Sequence, residues 1–322
     1  MRYLVTGGGG FIGGHLVEEL VRRGEGVRVL DDFSTGRREN LAALADRIEL
    51  VEGSVTDPAT VASAVRGVEF VLHQAALPSV PRSVADPVRT NAVNVTGTLN
   101  LLVAARDAKV RRFVFASSSS VYGENAELPK REEMAARPLS PYAVSKLAGE
   151  NYALAFHRVY GFPAVALRYF NVFGPRQDPT SQYSGVIAKF ATALLEGGRP
   201  SIDGDGSQSR DFTYVSDVVA ANLAACERME AVGQVMNVAR GESRTVLELF
   251  AALAELTGHH AEPQFAPART GDVKHSLAAI ERAARLLGYR PAVEWRKGLQ
   301  RTVEWYTARQ GLPGNTSATL AP

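Results

Sequence analysis

The sequence predicts an α/β fold, a doubly wound parallel sheet followed by a smaller C-terminal α/β cap that binds substrate. Three observations carry this. Short, almost wholly apolar runs alternate with amphipathic stretches of helical length through the first half, as in a parallel sheet covered on both faces. A glycine cluster joins the first apolar run to the first helical stretch. After about Asn171 the rhythm breaks into Gly, Pro, Asp and Ser clusters at 171–182 and 197–209.

Taken in order, the expected strands are 2–6, 27–31, 48–52, 70–73, 113–117 and 164–168. The helices expected between them are 15–23, 58–65, 87–108 and 142–160. Helical periodicity returns at 216–229, 245–257 and 277–287, read as a cap over the carboxyl ends of the strands. This places the sheet domain at 1–170 and the cap mainly at 171–310, with some chain returning to the sheet. The tail 311–322 has no periodicity and is expected to be disordered.

With 322 residues, 45% of them hydrophobic, the chain can bury a large core without staples. Its net charge of +2 comes from well-mixed groups with no basic run, which argues against a nucleic-acid partner. The single cysteine, Cys226, lies in an apolar stretch and reads as a packed thiol; no Cys/His spacing suits a metal. A strand pattern starts at Arg2 with no apolar segment of spanning length before it, so a cytoplasmic protein without a membrane partner is expected.

The segment Thr6-Gly7-Gly8-Gly9-Gly10-Phe11-Ile12-Gly13-Gly14 holds Gly7, Gly10 and Gly13 at G-x-x-G-x-x-G spacing. Glycines there permit a tight turn and let backbone approach a diphosphate at a helix N-terminus. The flanking strand and helix make this a variant of the dinucleotide fingerprint of Rossmann sheets. The second strand ends in Asp31-Asp32. A carboxylate there accepts hydrogen bonds from an adenosine ribose and repels a 2′-phosphate, which favours NAD over NADP. Arg37 and Arg38 follow closely; they are expected to form a solvated face rather than a phosphate site.

Tyr142 and Lys146 stand four residues apart, on one face of a helix. A tyrosine of ordinary pKa, about 10, is a poor base at neutral pH. A neighbouring ammonium and a positive nicotinamide ring favour the phenolate, which can then take a hydroxyl proton as hydride leaves the same carbon. The run Ala116-Ser117-Ser118-Ser119-Ser120-Val121-Tyr122-Gly123 follows an apolar strand, so its hydroxyls stand at the carboxyl end, where ligands bind in open α/β sheets.

In that order and spacing, these elements resemble the extended short-chain dehydrogenase/reductase family, over nearly the whole chain. More narrowly the sequence is similar to the nucleotide-sugar 4-epimerases. Supporting segments are His73-Gln74-Ala75-Ala76, Asn94-Val95-Thr96-Gly97-Thr98, Leu167-Arg168-Tyr169-Phe170-Asn171-Val172-Phe173-Gly174-Pro175, Arg210-Asp211-Phe212-Thr213-Tyr214-Val215 and Arg269-Thr270-Gly271-Asp272. The resemblance implies Tyr142 as base, Lys146 as its partner and a ribose ligand, and Ser118 as the hydroxyl bridging to the sugar. It implies a cofactor site of Gly7, Gly10, Phe11, Ile12, Gly13, Asp31, Asp32, Ser34, Thr35, Gly36, Ser54, Val55, Gln74, Ala75, Ala76, Asn94, Ala116 and Tyr169. Asn171, Arg210 and Arg269 would hold UDP, with Asp272 near its ribose. Ser79, Ser119, Ser120, Val186 and Ser276 would complete the substrate site. The family often has Asp at the adenine-binding turn where this chain has Ser54. A homodimer is implied, formed by helices 87–108 and 142–160 as a four-helix bundle.

The resemblance also separates reactions. In related 4,6-dehydratases an Asp-Glu pair stands at the positions of Ser119 and Ser120, and in related decarboxylases a Glu stands at Ser120. Two hydroxyls do not replace carboxylates in elimination. What remains is 4-epimerisation of a UDP-hexose through a transient 4-keto sugar. The small Ser276 and the loop 75–83 resemble enzymes that also accept N-acetylhexosamines, so both UDP-glucose and UDP-N-acetylglucosamine are expected substrates. Two alternatives stand here: a UDP-glucuronate 4-epimerase with Arg82 receiving the carboxylate, and a catalytically inactive NAD-binding regulator. His73 is expected to be a satisfied strand-end histidine and His259-His260 an exposed loop pair, with no metal assigned to either.

Overall fold

The strands of the central sheet are apolar because both their faces are covered. The computed structural model describes residues 1–123, 125–179, 185–267 and 274–310. Its sheet comprises β1 (Arg2–Thr6), β2 (Gly26–Asp31), β3 (Glu49–Glu52), β4 (Phe70–His73), β5 (Arg112–Ser118), β6 (Ala164–Tyr169) and β7 (Val235–Val238). All pairings are parallel, in the order β7-β6-β5-β4-β1-β2-β3. This is the doubly wound sheet that the sequence predicts. The winding reverses between β1 and β4, so the segments leaving these two strands diverge and open a crevice at their carboxyl ends.

Alternate side chains feed two cores. Tyr3 and Val5 pack with Leu16, Val17 and Leu20 of helix Phe11–Arg22 and with Val218 and Leu223 of helix Val215–Glu227. Leu4 packs on the other face with Val61, Leu101, Leu102, Ala153 and Phe156, from helices Pro58–Ala64, Gly97–Asp107 and Pro141–Tyr160. Helix Val215–Glu227, read in sequence with the cap, therefore covers the sheet. A third core joins helices Val186–Leu195, Val246–Thr257 and Trp295–Gln310 around Phe173, Phe190, Phe212, Leu253 and Leu299.

The differences from the sequence reading have identifiable causes. Helix Phe11–Arg22 starts four residues before the expected position because Gly13 and Gly14 lie inside it. The expected helix 87–108 is interrupted: Pro87–Asn91 and Gly97–Asp107 flank a wider π turn, Ala92–Thr96. The helix expected at 277–287 is confined to Glu281–Leu287. The residues before it are held extended, with Lys130 donating to the Leu277 carbonyl at 2.7 Å and Ala279 to the Lys130 carbonyl at 2.9 Å. The sequence reading missed β7, whose four residues include Asn237. That side chain is fully buried and donates to the Lys130 carbonyl at 2.8 Å, while the Tyr122 hydroxyl donates to its Oδ1 at 2.7 Å.

Candidate active site

The turn after β1 is built by glycines without room for side chains. Gly7 has φ +71°, and a Cβ there would stand 2.7 Å from the Ala75 nitrogen. A Cβ on Gly13 would stand 2.0 Å from the Gly7 carbonyl oxygen. Helix Phe11–Arg22 opens at Gly10 with no capping side chain and no acidic residue in its first turn. Its first N–H groups and its positive dipole end thus suit an anion.

Asp31 organises the neighbouring loop, accepting N–H bonds from Gly9 and Phe33 at 2.8 Å each. Burial nevertheless raises its pKa, with those two bonds opposing. Asp32 accepts from the Ser34 nitrogen at 3.0 Å and the Ser34 hydroxyl at 2.6 Å. Arg37 and Arg38, expected as a solvated face, are half-exposed but engaged. Arg37 pairs with Asp178 at 2.7 Å, and Arg38 pairs with Glu52 at 2.5 Å while lying 4.2 Å from the Phe33 ring.

One cavity of about 700 Å³ runs from this turn to β5. Every cofactor position expected from the sequence lines it except Ser54 and Asn94, whose neighbours Gly53, Val55 and Val93 do. Ser54 instead bonds Thr56 at 2.9 Å. Asn94 lies behind the wall: it accepts from the Leu77 nitrogen at 2.8 Å and donates to Ser145 Oγ at 3.0 Å. Phe33, Ser79 and Arg176, all non-glycine residues with left-handed φ, also line the cavity. Such strain gathers at functional sites. Arg176 was not foreseen. It pairs with Glu18 at 2.5 Å, yet its Nη1 is buried without a hydrogen-bond partner among the described residues. Glycine cradle, uncapped helix and that nitrogen together fit an anionic dinucleotide.

Tyr142, Lys146 and Ser117 form the far end of the cavity. Helix Pro141–Tyr160 starts where Ser140 caps it, and the Tyr142 nitrogen donates to Ser83 Oγ at 2.9 Å. Lys146 Nζ donates to the Ala116 carbonyl at 2.8 Å and lies 6.0 Å from the Tyr142 ring centroid. Burial lowers the lysine to about 8. Burial raises the Tyr142 phenol, and its hydrogen bond with Ser118 pulls the other way. The expected phenolate draws on the ammonium and a positive nicotinamide ring together; in the protein alone burial is the larger influence on the phenol.

A directional chain links β1 through β4 to the π turn Ala92–Thr96. Thr98 Oγ1 donates to the Asn94 carbonyl at 2.6 Å, so it accepts from His73 Nε2 at 2.8 Å. His73 Nδ1 then accepts from Thr6 Oγ1 at 2.7 Å. Burial and the Lys146 charge hold His73 at about 3, hence neutral, as the satisfied histidine expected.

The remaining substrate positions divide between this cavity and the cap side. Ser79 lines the cavity but caps helix Val80–Ala85, accepting from the Arg82 nitrogen at 3.2 Å. Ser118 accepts from the Ser120 hydroxyl at 2.9 Å as a tight turn, Ser119–Tyr122, begins. Asn171, Arg210 and Ser276 meet on the cap side: Asn171 Nδ2 donates to the Asp211 carbonyl at 3.3 Å and Ser276 N to the Ser209 carbonyl at 3.0 Å. Val186 begins helix Val186–Leu195 and packs on the third core. Arg269 and Asp272 lie outside the described residues, as does the tail at 311–322.

Residues 3–239 match the NAD dependent epimerase/dehydratase family. The chain belongs to this family. As a family member it is 43% identical to a UDP-glucose 4-epimerase of Mycolicibacterium smegmatis over 95% of this chain and 98% of that one. It superposes with TM-score 0.92 on a Thermotoga maritima UDP-glucose 4-epimerase crystallised with UDP-glucose, 40% identical, covering 96% of this chain and 100% of that one. The same score relates it to a UDP-N-acetylglucosamine 4-epimerase of Methanobrevibacter ruminantium in complex with UDP-N-acetylmuramic acid, 39% identical, covering 96% and 98%. The cofactor of this epimerase/dehydratase family member is NAD.

Proposed function

We propose that this protein is an NAD-dependent UDP-sugar 4-epimerase acting on UDP-glucose/UDP-galactose and on the N-acetylated pair. The observation that carries the reading is the meeting of Tyr142 and Lys146 with the serine end of β5 in the cavity that starts at the glycine cradle. When bound, NAD supplies the reversible hydride acceptor for sugar C4. Tyr142 Oη takes the C4 hydroxyl proton and later returns it, and Ser118 bridges phenol and sugar. Lys146 steadies the phenolate and holds the cofactor ribose. Asn171, Arg210, Arg269 and Asp272 hold the UDP end, where a guanidinium suits a diphosphate. The absence of carboxylates at Ser119 and Ser120 favours epimerisation over elimination. A second reading, UDP-glucuronate 4-epimerisation, draws on Arg82, which lines the same cavity.

A homodimer is part of this reading. Val84, Val88, Val144 and Val159 are apolar side chains left more than half exposed on the helices at 80–107 and 141–160. Sedimentation should give twice the chain mass. No helix of the described residues is long and apolar enough to cross a membrane, and a cytoplasmic enzyme suits the substrate. The deciding experiment incubates protein as purified with UDP-glucose, UDP-N-acetylglucosamine or UDP-glucuronate and follows sugar H4 and anomeric signals by NMR. Appearance of the galacto isomer supports the reading and ranks the sugars; no conversion even with added NAD refutes it.

A further inference from the structure

Lys146 and Glu150 stand one turn apart on helix Pro141–Tyr160, a spacing at which lysine and glutamate ordinarily attract each other. Both are buried. Nevertheless they bind different partners. Lys146 Nζ donates to the Ala116 carbonyl at 2.8 Å. Glu150 is gripped by Arg168 of β6, whose Nη2 donates to Oε1 at 2.6 Å and whose Nε donates to Oε2 at 3.0 Å. The Ser117 hydroxyl adds a third bond, to Oε2 at 2.7 Å. Side-chain exposure of this ion pair is 6% for Arg168 and 2% for Glu150.

In a medium of low dielectric, a carboxylate one turn from an ammonium would take it as counter-ion if nothing else claimed it. We propose that Arg168 is a positioning residue for the reaction: by engaging Glu150 through two nitrogens, it withholds that carboxylate from Lys146 and leaves the ammonium to Tyr142. This rests on the reading of Tyr142 and Lys146 as the reacting pair. The same grip secures Ser117, one residue before Ser118, at the end of β5. The other titratable groups around Lys146 do not substitute for Glu150. His73 of β4 stays neutral, and Tyr142 lies one turn earlier on the lysine's own helix. The lowering of Lys146 by burial agrees with an ammonium that has no carboxylate bound to it.

Arg168→Met tests this by releasing Glu150. The expected result is a fall in kcat of about tenfold with KM for UDP-glucose changed less than about twofold. The acidic limb of the kcat profile should move up by about one pH unit, because an ammonium drawn to Glu150 favours the phenolate less. The double variant Glu150→Gln/Arg168→Met leaves no carboxylate to capture Lys146 and should regain kcat to within about threefold of wild type. A purely structural role makes the double variant at least as slow as the single one; that outcome, or an unmoved profile in Arg168→Met, overturns the proposal. If Arg168→Met does not fold, the wild-type protein still decides. Its Lys146 Nζ, assigned with Lys146→Met and followed by ¹⁵N NMR, should titrate clearly below the ordinary lysine value of about 10.4, and titration at or above that value overturns the proposal. Wild-type protein that epimerises no UDP-sugar would overturn the functional reading alone, since the titration reports the charge arrangement without substrate.

Discussion

Gly13 sits against the carbonyl of Gly7 so closely that a Cβ on Gly13 would stand 2.0 Å from that oxygen. Backbone cannot yield there without moving the start of helix Phe11–Arg22 or the end of β1. Gly13→Ala should therefore destabilise the protein by about 1–3 kcal/mol, as overpacking does. It should also strip the purified protein of most of its NAD. At Gly10 the same oxygen is 3.1 Å from a Cβ, so Gly10→Ala should cost less stability. Urea unfolding of the two variants checks the ranking.

His73 should make the fold acid-sensitive. In the unfolded chain a histidine takes its proton near pH 6.5, whereas burial holds the folded His73 at about 3. Between those values the unfolded chain binds more protons. The contribution is thus complete above about 6.5 and lost as pH falls toward 3. Asp211 acts in the opposite direction, since burial raises its carboxyl to about 6 and stability linked to it is lost as pH rises through that value. Comparing wild type with His73→Gln isolates the histidine: unfolding free energies between pH 7.5 and 5 should fall less steeply in the variant. Equal slopes would contradict the neutral assignment.

Tyr142→Phe should leave NAD and UDP binding intact and lower turnover by about 10²–10⁴, the range of a lost general base. Bound-cofactor absorbance and the NMR assay measure both on one preparation. Turnover near wild type would remove Tyr142 from the chemistry.

Ser276 lies beside the residue before Arg210, its backbone nitrogen donating to the Ser209 carbonyl at 3.0 Å. Ser276→Tyr should narrow the sugar end and reduce activity on UDP-N-acetylglucosamine at least about tenfold more than on UDP-glucose. Equal loss on the two sugars would count against Ser276 as the wall of the N-acetyl pocket.

The sequence by itself determined six strands of the sheet, the glycine cradle and the Tyr142/Lys146 pair, because each is written in neighbouring residues. Apolar runs show the strands, glycine spacing shows the cradle, and a four-residue interval shows one helix face. Tertiary structure alone decided what lies far apart in the chain. Asn237 makes β7 unreadable as a strand until Tyr122 and the Lys130 carbonyl satisfy its amide from more than 100 residues away. Arg176 and Asp178 came to the cavity without a local pattern to announce them. Glu150 read as one more polar position on a helix. Only the approach of β6 gives it Arg168 as a partner, and low dielectric then makes that choice of partner matter for the lysine one turn away.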